Sequence, residues 1–257
     1  DYSATGRMTS FDADGFTVKY SSSTGTNASG DSYVGWAWDA GSGSPVSNTD
    51  GTITSTVKAN PSYGFSVVNY VATGSNATVG HGLASAPEFI IVKHRDQAGT
   101  SWIVYYGDNT DYLRLNSTVA SIDAVEAWND TSPTSTVFSV GANGGDTNNT
   151  SGGNTIAYCF HSVAGYSKIS SYSGTGASGN AVTGLGFKPA WLMVKAASGA
   201  TGNWIIWDNT RDTNDADVDN PLFANLSDAE FTAGGTYDIQ FDSDGFTINN
   251  SSPNHNG

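Results

Sequence analysis

An all-β fold, built as tandem β-sandwich (jelly-roll-like) repeats with little helix, is what this sequence predicts. Three observations predict it. Apolar and polar residues alternate at period 2 through Ile156–Gly176, where Ile156, Tyr158 and Phe160 lead into a Gly165-Tyr166 turn, and Tyr166, Lys168, Ser170 and Tyr172 follow it. That period marks half-buried strands. The 257 residues include 31 glycines, 12 tyrosines and 7 tryptophans, with abundant Ser, Thr and Asn, which suits many short strands joined by tight turns. Whole strand-and-turn segments also recur along the chain, at a spacing near 100 residues.

Taken in order, the first element is the run FDADGFT at 11–17, which returns as FDSDGFT at 241–247. Asp-Gly between aromatic residues is a hairpin signal, with glycine supplying the unusual φ. The first copy continues to Tyr33-Val-Gly-Trp-Ala-Trp38, which matches Thr155-Ile-Ala-Tyr-Cys-Phe160 at an offset of 122; the second stops at Gly257, before such a strand. Gly41–Asn60 has the Ser/Gly/Thr character of a linker. Gly64–Tyr70 then pairs with Gly165–Tyr172, and His81–Lys93 with Thr183–Lys195 at an offset of 102. Trp102–Tyr105 pairs with Trp204–Trp207. Phe89–Val92 and Trp191–Val194 are continuous apolar runs just beyond Pro87 and Pro189, as expected of central strands whose start tolerates a missing N–H. Helical pattern is confined to a turn or two within Ser117–Trp128 and Ser227–Phe231. The domain reading is a partial first repeat at 1–40, a linker at 41–60, a sandwich at 61–155 and a second, truncated one at 156–257.

Composition excludes several classes. Only 13% of residues are charged and the formal net charge is −14, so the chain cannot neutralise many phosphates and nucleic-acid binding is not expected. No apolar run approaches the ~20 residues of a membrane span, so no membrane insertion is expected. Cys159, the single cysteine, gives neither an intrachain disulfide nor a Cys-based zinc site and reads as a small core residue.

Catalytic patterns are weak. Glu88, Glu126 and Glu230 are the only glutamates, and Glu88 reads as a strand-end charge rather than half of a glycosidase pair. No G-x-S-x-G elbow accompanies His81, His94, His161 or His255, so no Ser-His-Asp triad is expected. His81, in a Gly-His-Gly loop, is the most accessible-looking histidine and a candidate ligand contact. Trp128 and Tyr112 lie outside the repeated strands and are the candidates for an exposed sugar-stacking face, whereas strand aromatics read as core. Asp208, Asp212, Asp215, Asp217 and Asp219 crowd one loop with Asn209 and Asn214. Such oxygens suit calcium, although EF-hand spacing is absent, and a solvated acidic loop is the competing reading. No cofactor is required by any motif.

The segments IAYCFHSVAGYSKISSYSGTG, GLGFKPAWLMVK, NWIIWDNTR and LASAPEFIIVKHRD resemble a tandem domain of tail-fibre and other virion structural proteins of marine tailed bacteriophages, cyanophages especially. The resemblance covers about Gly64–Asn250, with Phe11–Asp39 fitting a preceding copy, and the AYCF-x-x-V-x-GYSK run carries it best. It implies an extracellular, particle-borne fibre component or adhesin that is not an enzyme, self-associates into a fibre or trimer, and contacts cell-surface glycans. A secreted carbohydrate-binding or carbohydrate-active protein, lectin or glycosidase, is the alternative. The strand due after Phe241–Gly257 is expected from Tyr33–Trp38 of the same chain or from a neighbouring molecule.

Overall fold

The computed structural model describes residues 8–19, 26–142, 148–199, 201–232 and 234–257. It divides into two units, Asp1–Trp38 and Asp39–Gly257. In the first, β1 (Met8–Phe11) and β2 (Phe16–Val18) form the hairpin expected of Asp14-Gly15, with Phe11 opposite Phe16. The Asp12 N–H donates to the Gly15 carbonyl (2.8 Å) and the Thr17 hydroxyl to the Asp12 carboxylate (2.7 Å). Two strands alone cannot bury a core. Phe11 is accordingly 84% exposed and Phe16 52%. Tyr33–Trp38 is not in a strand, although its pattern matches one.

The second unit begins with β3 (Val46–Asn48), β4 (Ser55–Asn60), β5 (Phe65–Val71), β6 (Ala77–Gly80), β7 (Phe89–His94), β8 (Ile103–Tyr105), β9 (Asp111–Arg114) and β10 (Ile122–Asp123). The one-turn helix α1 (Val125–Trp128), β11 (Val137–Val140) and β12 (Asn154–Phe160) follow. An eight-stranded sheet runs in the order β10-β9-β8-β7-β12-β5-β4-β3, and β6 pairs with β11 in a second sheet; every neighbouring pair is antiparallel. Period-2 alternation sends Val57, Val68, Ile90, Val92, Ala157 and Cys159 into the space between the sheets, where Val79, Phe138 and Val140 meet them. Burying one such aliphatic side chain contributes about 1.5–3 kcal/mol.

Beyond it stand β13 (Asn180–Thr183), β14 (Trp191–Val194), β15 (Ile205–Asp208), β16 (Leu222–Phe223), β17 (Ile239–Asp242), β18 (Gly245–Ile248) and the short helix α2 (Pro253–Asn256). They make two three-stranded sheets, β14-β15-β16 and β13-β18-β17, around a core of Ile205, Trp207, Ile239, Phe241, Phe246 and Ile248. The all-β sandwich architecture is therefore present. The repeat holds at the level of register: Ile90↔Tyr105, Ile91↔Val104 and Val92↔Ile103 recur 102 residues on as Leu192↔Trp207, Met193↔Ile206 and Val194↔Ile205. The 11–17 and 241–247 motifs likewise form equivalent hairpins, Phe241 opposite Phe246, with Thr247 donating to Asp242 (2.8 Å). Here the two phenylalanines are buried.

Three expectations are corrected. Residues 41–60 are not a linker, because β3 and β4 lie within them and extend the eight-stranded sheet. The boundary at 155/156 cuts through β12, which lies between β5 and β7 and belongs to the first sandwich. The alternating run Tyr166–Tyr172 does not form a strand. Its counterpart β5 is held between β4 and β12, and among the described residues no strand plays either part in the second repeat. Alternation without a partner is not enough to make a strand.

Candidate functional site

The sequence candidates for ligand contact lie in the core. His81 directly follows β6 and is fully buried. The Leu83 N–H donates to its Nδ1 (3.1 Å), which leaves Nε2 to donate to the Thr134 carbonyl (3.1 Å). Burial lowers its pKa, so the ring is a neutral tie between two loops rather than an accessible ligand. Trp128 ends α1 and packs edge-on against Tyr105 at 5.5 Å between ring centroids. Tyr112 lies on β9, with the Arg114 guanidinium over its ring (5.7 Å) and donating to its hydroxyl (3.1 Å). Both rings are buried, so neither offers a face to a sugar. Lying outside the repeated strands did not imply exposure: β9, β10 and α1 close the first core, and large aromatic residues fill that closure.

Other acid–base side chains are likewise engaged within the fold. His94 is buried, with Thr155 Oγ1 3.1 Å from its Nδ1 and the Thr150 N–H on its Nε2 (3.3 Å). Glu88 is half-buried rather than exposed and accepts from the Ser162 N–H (2.5 Å).

The acidic loop is knitted into the structure. Asp208 ends β15, is 3% exposed, and accepts from the N–H groups of Thr210 (3.1 Å) and Arg211 (3.0 Å). Arg211 Nε pairs with it at 2.8 Å, while Arg211 Nη1 reaches the Asn220 carbonyl (2.9 Å) and Glu230 (2.5 Å). Asp212 accepts from the Asp219 N–H (2.9 Å) and from Asn220 (3.1 Å). Asp215 pairs with Lys188 (2.6 Å) and accepts from Asn209 (3.1 Å), and the Lys188 hydrogen bond lowers its pKa. The five aspartates thus do not converge as the calcium reading expected. Among the described residues, no three His, Cys, Asp or Glu side chains come together in a metal-binding group.

Asp217 and Asp219 flank Val218, which bridges antiparallel to Ile239, so they share the polar side of that bridge with Asp238. Desolvation first and the neighbouring Asp217 next raise the pKa of both Asp219 and Asp238. Replacing Asp238 with Asn is accordingly expected to stabilise the protein at neutral pH, by about 1 kcal/mol or less at this half-buried position. Urea unfolding at pH 7 measures it, and a loss of stability would contradict the repulsion. Asp238 was missed from sequence because its partners lie about twenty residues away and meet it only through the bridge.

What the surface presents is an aromatic pair that sequence reasoning did not select. Tyr63 stands in the turn between β4 and β5, and Tyr166 in the turn after β12. The β5–β12 register, with Phe65 opposite Phe160, carries both turns to one end of the sheet. Gly64 fixes the join, since its φ is +65° and a Cβ there would sit 2.4 Å from the His161 carbonyl oxygen. The His161 N–H donates to the Gly64 carbonyl (2.9 Å). The two tyrosine rings lie 5.1 Å apart, tilted by 38°, and are 46% and 47% exposed. Flat apolar faces with hydroxyl rims can stack on a sugar and hydrogen-bond its edge. The signal available from sequence was the pair Tyr63-Gly64 and Gly165-Tyr166, two glycine-adjacent tyrosines on strands that pair.

No helix among the described residues is long and apolar enough to cross a membrane. Comparison with curated proteins and with solved structures finds no match. One family profile covers residues 1–257, and the chain belongs to that family, described as Domain of unknown function (DUF7483).

Proposed function

We propose that this chain is a non-enzymatic structural and adhesive component of an extracellular phage virion fibre, self-associating through its repeats and contacting host-surface glycans. One observation carries the reading. The sheet order and register of β7–β8 are repeated residue for residue in β14–β15, whereas the side chains able to do acid–base chemistry (His81, His94, Asp208) hold turns and loops together. Repeated scaffold with engaged polar groups suits spacing and adhesion better than catalysis. The resemblance of the AYCF-x-x-V-x-GYSK run to virion structural proteins points the same way.

Tyr63 and Tyr166 are the proposed glycan contact, and they serve the alternative of a free-standing secreted lectin equally well. Each ring is worth about 0.5–1.5 kcal/mol in a stacking contact. The double variant Tyr63→Ala/Tyr166→Ala is therefore expected to weaken binding to any glycan the protein retains on an array by about tenfold or more. Unchanged binding would remove the pair from the site. Release of reducing sugar by the wild type, lost in no surface-tyrosine variant, would replace the adhesive reading with an enzymatic one.

A further inference from the structure

The eight-stranded sheet packs one face on the core, and its other face opens at the end of β5 away from Tyr63 and Tyr166. Alternation puts Phe65 and Val71 on that outer face, and their exposures are 7% and 53%. Register assembles the open end. Thr56 stands opposite Asn69, Val71 opposite Asn154, and the Arg95 N–H donates to the Asn154 carbonyl (2.8 Å). Together with Thr54 these residues line a shallow groove of about 160 Å³. Enclosed small-molecule sites run to ~300–1,000 Å³, so this groove suits one group of a ligand that continues along the surface.

The polar groups of the groove are not spent on the fold. Arg95 is its one charged side chain, is exposed, and makes no ion pair or side-chain hydrogen bond among the described residues. Asn69 is half-buried, and its Oδ1 is buried without a partner among the described residues. A buried amide oxygen of that kind calls for a donor that the fold does not supply. The neighbouring carboxylate, Asp96, is already held by Asn154, whose N–H (3.1 Å) and side-chain amide (2.7 Å) both donate to it. The repeat shows that the scaffold does not require the cation. Ala197 stands 102 residues beyond Arg95, yet β14 and β15 keep the register of β7 and β8. In a chain of formal net charge −14, an uncommitted cation among hydroxyl and amide groups selects an anion that also carries hydroxyls.

We infer that this groove binds an acidic polysaccharide, with Arg95 on a carboxylate or sulfate of one sugar and Asn69, Thr56 and Thr54 on its hydroxyls. Val71 supplies the apolar surface beneath the ring. This deepens the glycan-binding reading and rests on it, adding a charged contact at the end of β5 opposite the tyrosine pair.

Affinity electrophoresis of the full chain through gels carrying polygalacturonate, sulfated dextran or neutral dextran tests it. One or both acidic polymers are expected to retard the chain, less so as salt is added, and neutral dextran is not. Which of the two acts tells carboxylate from sulfate. Arg95→Gln, which breaks no hydrogen bond or ion pair of the fold, is expected to weaken that retention by about tenfold or more. Lys19→Gln removes the same charge from an exposed position in the first unit and is expected to leave it unchanged. Unchanged retention of Arg95→Gln, or an equal loss in both variants, overturns the inference. Displacement by inorganic sulfate at the same concentration of anionic groups assigns the groove to a free anion and overturns it too. Binding confined to neutral glycans on an array, and lost in Tyr63→Ala/Tyr166→Ala, removes this groove but leaves the glycan-binding reading standing. Retention of no glycan of any kind removes both.

Discussion

Replacing Arg211 with methionine is expected to cost about 3 kcal/mol of stability. Asp208 is 3% exposed and, among the described residues, Arg211 is its only charged partner, at 2.8 Å. Methionine keeps the aliphatic bulk of the arginine stem but leaves a buried carboxylate with two backbone N–H groups and no compensating cation. It also releases the Asn220 carbonyl and Glu230, which Arg211 holds across the loop. For a chain of this size the loss corresponds to a melting temperature lower by about 6–12 °C. A change within about 2 °C would mean that the loop is solvated and that Asp208 is not held by charge. Added calcium is not expected to restore the variant, because the aspartates of this loop point to different partners.

Acid is expected to weaken the fold through His255. Its ring is buried against Tyr237, stacked at 5.6 Å, and against the edge of Trp207 at 5.4 Å. Neither ring nitrogen has a hydrogen-bond partner among the described residues. Burial pushes its pKa down to about 4, against an ordinary value of 6.5. The unfolded chain therefore binds this proton first as pH falls. Stability is whole above pH 6.5 and declines through the window down to about pH 4, by about 3 kcal/mol in all. His255→Phe keeps an aromatic ring in the pocket and is expected to flatten that decline. Asp219 and Asp238 act in the opposite sense. Their folded forms hold protons longer, so the stability they withhold at neutral pH returns as pH falls through their raised pKa values. Thermal melts of wild type and His255→Phe between pH 8 and pH 4 measure the difference; parallel profiles would show that His255 is not the acid-sensitive group.

How much of this was legible in sequence depended on whether the signal was local. Asp14-Gly15 and Asp244-Gly245 specify a hairpin within a few residues, and both hairpins formed with the same register beside the turn, the first slipping at a bulge between Met8 and Ser10. Phe89–Val92 and Trp191–Val194 read as central strands because their apolar runs are continuous; both are strands, but β7 lies between β8 and β12, whereas among the described residues β14 stands at the edge of its sheet and is only partly buried. Tyr166–Tyr172 carried an equally clear alternation and did not become a strand, because strand formation needs a neighbour that sequence does not supply. The same limit governs the candidate site. Trp128, Tyr112 and His81 were chosen for lying in loops or outside the repeats, yet burial there is decided by β9, β10 and α1 folding over the core. Tyr63 and Tyr166 lie about a hundred residues apart, and only the pairing of β5 with β12 makes them neighbours. The acidic loop looked like a cation site on count alone, while Arg211, Lys188 and Asn220 had already taken its oxygens.

The most direct measurement of the central claim, a self-associating repeat scaffold, is the mass of the full chain in solution by light scattering over a wide concentration range. The account predicts masses at multiples of 26.7 kDa that rise with concentration. A single species of 26.7 kDa at every concentration would contradict it.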